Sequence, residues 1–545
     1  MANKRMFNTQ NAGLPQADTL NEAGGIAYSL PPKQALAQLA CTGTFNQTYY
    51  TSDEEQLNKL RTILNDIPVE DYEFVAKTAV YARTKGFMKD MPAFLLAWLA
   101  VQKEKEAHNL VSRIFNSIID NGRMLRNLVQ MLRSGVFGRC TIPRPVRHLI
   151  STWLHRQSGD WLFRDSIGND PSIADIIKMV HPCPHNSYEE AMFGYLIGKQ
   201  CAEDKLPNSV LAYERWKKDP KSPIPKGVDF RMLTGLDLDD KQKKRIWSSF
   251  AETASWTQTR MNLNNFSKYG VLEDKQLKEK IANRLRNKTL IAQANCFPYQ
   301  ILMAYEAASD LDSSLSSALH DAMEEATINV PEMTGNLAVC PDVSGSMGSP
   351  ITGHRKGSTT DVQCVTVAAL FAASICRKNP GARVLPFNGD VVPCRIEPRD
   401  TVMTNAMKLA ELLHNGTDCS APLRKLNEEK AKVDAVLLFS DEESWMDSEG
   451  KSIAGSRYGG LTWSGYYNAA SVTKTMSEWK KLKRRNKNAK LVCVDLQPIT
   501  TSQVINRDDI LSIGGFSDNI FEVIAAFLEG DSKNHWVDVI EGIEI

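Results

Sequence analysis

The run Asp342-Val343-Ser344-Gly345-Ser346, set directly after the short apolar segment Leu337 to Cys340, constrains this chain more than any other stretch. A buried strand that ends in a tight loop of one carboxylate and two hydroxyls offers oxygen ligands to a hard divalent cation and leaves coordination positions open. Small polar residues also make ordinary turns, so the run gains meaning only beside two motifs further along the chain. Gly416-Thr417-Asp418 lies between two helical stretches, and Phe439-Ser440-Asp441 closes the apolar run Val433 to Phe439. In an open parallel sheet the loops at the carboxyl ends of neighbouring strands converge on one crevice. Asp342, Ser344, Ser346, Thr417 and Asp441 are therefore expected to meet there as five oxygen donors facing one ion.

This pattern resembles a von Willebrand factor A domain with its metal-ion-dependent adhesion site. The order of elements agrees with that resemblance: a helix over 360–378, strands over 382–387 and 391–395, helices near 402–414 and 420–431, a strand over 489–496 and a helix over 517–529. Alternating strands and helices predict an α/β, doubly wound, Rossmann-like sheet. The expected cofactor is a divalent cation, Mg2+ foremost, whose remaining position favours a carboxylate from an acidic protein partner. Binding rather than catalysis is expected, because no general base is aimed at a metal-bound water, and Glu442 and Glu443 read as solvated acids beside Asp441.

At 545 residues the chain exceeds one ordinary core, and two to four domains are expected. Residues Met1 to Gly25 are polar and carry no apolar run like a signal peptide, and no segment reaches the apolar length of a membrane span. A cytoplasmic protein without membrane contact is expected. The 11 cysteines are scattered singly with no C-x-x-C pair, as for reduced and mostly buried thiols. His181-Pro182-Cys183-Pro184-His185 superficially resembles a metal site, but two prolines stiffen it and alternate ligands need partners from elsewhere, so no zinc is expected there. The formal net charge of +1 steers the chain to no partner by itself, so any nucleic-acid contact must come from local clustering.

From about residue 52 to 330 the pattern is one of short amphipathic helices. Ser52 and Glu55 make a capping box ahead of Leu57, Leu60, Ile63 and Leu64; further helices are expected over about 70–85 and from Pro92. Helix after helix with brief turns fits a stacked helical array or a plain bundle. Between Asp120 and Asp160 no acidic residue occurs, while Arg123, Arg126, Arg133, Arg139, Arg144, Arg147 and Arg156 stand with His148 and His155. Guanidinium forks bind two phosphate oxygens at once, so this block predicts a sequence-tolerant surface for a phosphate backbone. Trp153 and Phe137 within it fit core packing better than base stacking. Of two further basic clusters, Lys241 to Arg245 comes after Asp237, Asp239 and Asp240 and is expected to pair within its helix. Lys480 to Lys487 has no such acid run and could extend a nucleic-acid surface.

Taken together, the chain resembles the Ro autoantigen family of TROVE-domain proteins. The resemblance rests on Gly43 to Tyr50, Asp175 to His181, Phe297 to Leu302, Asp342 to Met347, Val391 to Cys394, Gly416 to Ser420 and Gly515-Phe516, in that order. It implies a ring of HEAT-like α-helical repeats over 26–331, after a polar segment 1–25, and a von Willebrand factor A-like domain over 332–545. It also implies an RNA-binding protein without enzymatic activity, acting as a monomeric ring in noncoding RNA quality control or decay. Small noncoding Y-like RNA would lie on the basic outer surface and single-stranded 3′ ends would enter the hole, with a 3′ exoribonuclease such as polynucleotide phosphorylase as a further partner. The physics agrees, because helical RNA is read through shape and phosphates while a single strand tracks a cationic channel. His181 falls where the family uses a histidine in Y RNA contact, with Lys178 beside it, and Arg144 and Arg147 fall in a segment similar to the family's RNA surface.

Two departures from the family pattern stand out. Asn415 replaces a glycine before the threonine loop, a mild change because asparagine tolerates left-handed backbone angles. Met446 to Ala470, rich in Gly, Ser, Tyr and Trp, reads as an added loop after Asp441. The alternative reading, a metal-dependent protein adaptor without RNA function, accounts for the second half and leaves the arginine block unexplained.

Overall fold

The computed structural model describes residues 13–545 apart from 44, 169, 295, 297, 308–311, 328–329, 355–361, 446–471, 518 and 530–534. The added loop Met446 to Ala470 lies outside the described residues, as do residues 1–12 of the polar segment and Thr44 and Phe297 of the motifs above. By internal contacts the chain forms two units: Met1–Pro68, Phe297–Met303 and Met323–Glu544 make one, and Val69–Cys296 with Ala304–Ala322 the other. The expected division at 331–332 runs in chain order, whereas the contacts place the stretch before Val69 with the sheet.

That early stretch holds β1 (Thr19–Leu20), β2 (Ile26–Ser29), α1 (Pro32–Thr42) and α2 (Asp53–Asp66). α1 is buried from Gln34 to Thr42, which its alanine-rich sequence permits by letting neighbouring backbones approach closely. α2 starts at the expected capping box: Ser52 accepts from the Glu55 backbone N–H while the Glu55 carboxylate accepts from Ser52.

The helical unit begins with α3 (Tyr72–Thr84), α4 (Asp90–Val101), α5 (Lys105–Ile118) and α6 (Gly122–Arg133). It continues with α7 (Arg144–His155), α8 (Gly159–Asp165), α9 (Ile173–Val180) and α10 (Ser187–Leu196). α3 packs on α4 and α5, α4 on α6, α5 on α7, and both α6 and α7 on α9, as stacked helical pairs do. Trp153 is a core residue, as expected: it is 4% exposed and donates its indole N–H to the Ile119 carbonyl at 2.7 Å. Phe137 packs its ring 4.9 Å from that of Phe94. The remaining helices of this unit carry the Lys241 cluster, where the structure corrects the expected intrahelical pairing. Asp239 caps its helix by accepting from Gln242, Lys244 pairs with Glu273, and Arg245 donates to the Lys221, Pro220 and Ser222 carbonyls.

In the other unit β3 (Leu337–Pro341), β4 (Arg383–Val384), β5 (Ala435–Ser440), β6 (Lys490–Asp495) and β8 (Ile510–Gly514) form a parallel sheet, and β7 (Thr501–Ser502) lies outside it. The sheet order β4-β3-β5-β6-β8 reverses direction between β3 and β5, which is the switch point of a doubly wound fold. Both faces are covered, so the strands are continuous apolar runs. Cys340, Leu438 and Cys493 pack with Leu423, Trp479 and Leu482 on one face. On the other, Phe371 of the helix Cys364–Lys378 packs its ring 5.6 Å from Phe439. The expected strand over 391–395 does not form; Val391 makes only an isolated antiparallel bridge to Phe387, and Pro393 has no N–H to extend it.

The early stretch completes this unit. β2 pairs antiparallel with both β1 and β7, Tyr28 opposite Ser502, and α1 packs on β8. Gly514 permits that approach, since a Cβ there would lie 2.2 Å from the Gln38 Oε1. Gln38 in turn donates to the Ser512 hydroxyl at 3.0 Å. The basic cluster of the helix Lys474–Arg485 is largely engaged: Lys481 pairs with Glu478, Lys483 with Asp509, and Arg485 donates to Asn427 at 2.7 Å.

Candidate metal centre and nucleic-acid interface

Asp342 leaves the end of β3 and Asp441 the end of β5, the two strands that flank the switch point, so topology alone brings the carboxylates to one crevice. The Ser344 backbone N–H donates to Asp342 Oδ1 at 2.8 Å, and the Ser344 and Ser346 hydroxyls stand 3.3 Å apart. Ser346 lies close enough to Asp441 to favour its charged form. The third loop is held by the Gly345 N–H donating to the Asn415 carbonyl at 2.7 Å. Asn415 adopts the left-handed angle that its side chain tolerates, with φ of 65°.

Charge balance at this crevice points to a cation. Asp342 and Asp441 are 0% and 2% exposed, and among the described residues no lysine or arginine pairs with either. Burial first, and then the Asp441 charge, pushes the Asp342 carboxyl up to about 7; burial likewise raises Asp441. Thr417 Oγ1 is buried without a hydrogen-bond partner. Two buried carboxylates, two facing hydroxyls and an orphaned hydroxyl are a donor set that a hard divalent ion fits, with Asp342, Ser344, Ser346, Thr417 and Asp441 as the residues that would hold it.

The neighbourhood also holds groups that motif reading did not assign. Ser440 donates to Asp342 Oδ2 at 2.5 Å. The Tyr50 hydroxyl, from the Gly43 to Tyr50 motif, lies near Ser346, and its burial pushes its ionisation far above the ordinary range. Glu442 and Glu443, expected in solvent, are 5% and 1% exposed, which corrects that expectation. The early stretch and β7 cover them: Glu442 accepts from the Ser502 hydroxyl and the Gln503 N–H, and Glu443 from the Ala23 N–H at 2.8 Å. Burial pushes Glu442 up to about 7 and Glu443 up to about 8, with the Asp441 charge adding to both.

These buried acids make stability depend on pH. They ionise at higher pH folded than unfolded, where ordinary values are about 4, so the folded state binds more protons in between. With divalent ions chelated, the contribution of these groups to stability is fully present below about pH 4 and is lost as pH rises through about 7 to 8. Thermal melts in chelator over this range should show that fall, and Asp342→Asn should flatten it. A slope unchanged by Asp342→Asn would refute the assignment.

In the helical unit the structure sorts the basic residues. α7 buries Val146, Ile150, Trp153 and Leu154, which leaves Arg144, Arg147 and His148 exposed on its opposite side. Arg123, Arg133, Lys178 and His181 are also exposed. α9, which packs on both α6 and α7, carries Lys178 in its last turn and His181 at its left-handed end, with φ of 53°. Arg133 and Lys178 both lie close enough to Asp175 to help hold its carboxyl below the ordinary range, after the Ser172 hydrogen bonds that dominate. Among the described residues none of Arg123, Arg133, Arg144, Arg147 and Lys178 forms an ion pair.

Arg126 and Arg139 depart from this exposed set. Arg126 is half-buried and donates to the Asp165 carbonyl at 2.9 Å, and burial lowers its pKa. Arg139 is partly buried with its Nε unpartnered and donates to Thr141 at 3.3 Å.

Comparison with known proteins places these features in context. The Ro60 vWA domain family matches residues 336–458, and the TROVE domain family matches residues 238–366. RNA-binding protein RO60 of Deinococcus radiodurans is 21% identical over 474 residues, spanning 82% of this chain and 88% of that protein. The crystal structure of the Deinococcus radiodurans RO (RSR) protein has the same fold, with a TM-score of 0.60 at 17% identity, covering 92% of this chain and 100% of that one.

Proposed function

We propose, for a chain that belongs to the Ro family of TROVE-domain proteins, that it binds RNA through the exposed cations of α6, α7 and α9. The observation that carries this reading is the set Arg123, Arg133, Arg144, Arg147 and Lys178, exposed and without ion-pair partners among the described residues, in a chain of net charge +1. Unpaired guanidinium groups are open to phosphate oxygens, and release of the counterions they displace drives association. His181 and His148 border the same helices and supply donors to ribose or base edges. The finer reading is a scaffold for small noncoding Y-like RNA and single-stranded 3′ ends in noncoding RNA quality control or decay, with a 3′ exoribonuclease such as polynucleotide phosphorylase as a partner. It includes no catalytic step.

A second reading is supported by the buried acid pair and the orphaned Thr417 hydroxyl. Mg2+ held by Asp342, Ser344, Ser346, Thr417 and Asp441 would supply a positively charged ligand position for a carboxylate of a protein partner. The two readings are compatible, since each uses different residues.

Protein purified at low salt without nuclease should carry short RNA, seen as an ultraviolet ratio shifted toward nucleic acid and as labelled fragments released by protease. A clean protein spectrum at low salt would favour the adaptor reading alone.

A further inference from the structure

The motif His181 to His185, set aside for want of partner ligands, finds them on α7 and α10. We infer that His155, His185 and Glu189 form a binding site for a zinc ion. His155 is the last residue of α7; His185 and Glu189 flank the start of α10. Glu189 Oε2 lies 2.9 Å from His155 Nδ1 and 3.9 Å from His185 Nδ1, and one ligand atom from each of the three side chains falls within 4.8 Å of the others. Zinc–nitrogen bonds of about 2.0–2.1 Å in a tetrahedron separate donors by about 3.4 Å, so these spacings bracket what the ion needs.

The donor types favour zinc over the hard ions. Two imidazole nitrogens and one carboxylate suit a borderline ion with a position left for water, whereas Mg2+ and Ca2+ take oxygen. The imidazole rings stack with centroids 3.8 Å apart at 18°, so a shared ion requires one ring to turn until its in-plane lone pair faces the other donors, and the 66% exposed His185 is the ring with room to do so. Glu189 is already oriented: its Oε2 accepts from the His185 backbone N–H at 2.8 Å and lies 2.9 Å from His155 Nδ1. An outer hydrogen bond of that kind fixes a ligand before the ion arrives. His155 is further held by Phe193, ring centroids 5.8 Å apart. Exposed Cys183 lies two residues before His185 and is not needed for the set. The competing account is a plain His155–Glu189 hydrogen bond joining α7 to α10.

The test uses full-length protein, chelator-treated and dialysed into excess Mg2+, then titrated with Zn2+ and, separately, Co2+. Wild type should take up one ion at this site, with an affinity that His185→Ala and Glu189→Gln each lower by more than the about 10–100-fold typical of losing an outer hydrogen bond. Cobalt should give the visible absorption of nitrogen-ligated tetrahedral Co2+ in wild type and lose it in both variants. His185 is 66% exposed, so its replacement leaves the fold intact, and matching melts of the variant check this. Equal zinc uptake by all three proteins, or none by wild type, would overturn the site. The carboxylate crevice offers cobalt only oxygen ligands and cannot give that nitrogen-ligated absorption, which separates the two sites.

Discussion

Replacing Arg144 and Arg147 together with alanine is expected to weaken RNA binding by about twentyfold at about 0.15 M salt, and to lower the slope of log K against log salt by about 1.5. Each phosphate contact releases its share of condensed counterion, so removing two contacts changes affinity and salt dependence in a fixed ratio. Both side chains stand on the exposed side of α7, and the apolar side that holds the helix in place is untouched. Arg147 gives up one hydrogen bond, from its Nε to the Ile142 carbonyl at 3.2 Å, a cost of about 1 kcal/mol to the fold. Lys241→Ala, which removes an exposed charge elsewhere in the same unit, is the control. If it weakens RNA binding as much per charge, the effect is one of net charge and the α7 surface is not the binding face. Arg126→Ala makes a second contrast, since a half-buried guanidinium bonded to a carbonyl should cost stability before it costs RNA affinity.

The second large effect is expected at Asp342. Magnesium at a hundredfold excess over its Kd should stabilise the wild type by about 2.7 kcal/mol, and Asp342→Ala should abolish that gain while RNA binding is retained. Asp342→Asn gives the sharper reading. In chelator it removes one of two like charges held in a dry crevice while keeping the shape of the side chain, so it should match or exceed the wild type in stability. With magnesium present the order should reverse. Differential scanning calorimetry of the three proteins with and without magnesium decides the matter. An equal magnesium-induced rise in melting temperature in wild type and Asp342→Ala would remove the five-ligand assignment.

Much of this architecture is legible in the sequence, for local reasons. The Ser52–Glu55 capping box involves residues three apart, and the parallel strands of a doubly covered sheet read as unbroken apolar runs. Asp342 and Asp441 can be paired because the carboxyl ends of adjacent parallel strands must share an edge. What escapes is set by distant covering. Glu442 and Glu443 look like solvated loop acids until the Ala23 N–H and the Ser502 hydroxyl are placed over them. Tyr50 stands in a recognisable motif, yet nothing in its neighbours says that it is buried beside Ser346. The strand expected at 391–395 has suitable residues but also a proline, and among the described residues its pairing stops at the isolated bridge of Val391 to Phe387. His185 looks isolated because its partner, His155, comes from another helix.

The pairing of β2 with β7 has a further consequence, for biogenesis. The segment that leaves the ribosome early finds its hydrogen-bonding partner only after Thr501 and Ser502 have been made, with the entire helical unit synthesised in between. Until then β2 presents an unpaired edge and α1 an uncovered apolar surface, both prone to capture by other nascent chains. The helical unit, whose own packing is local, can mature while the ends wait. A fragment beginning at residue 332 would therefore lack a sheet partner, and supplying residues 13–68 as a separate peptide should restore its solubility.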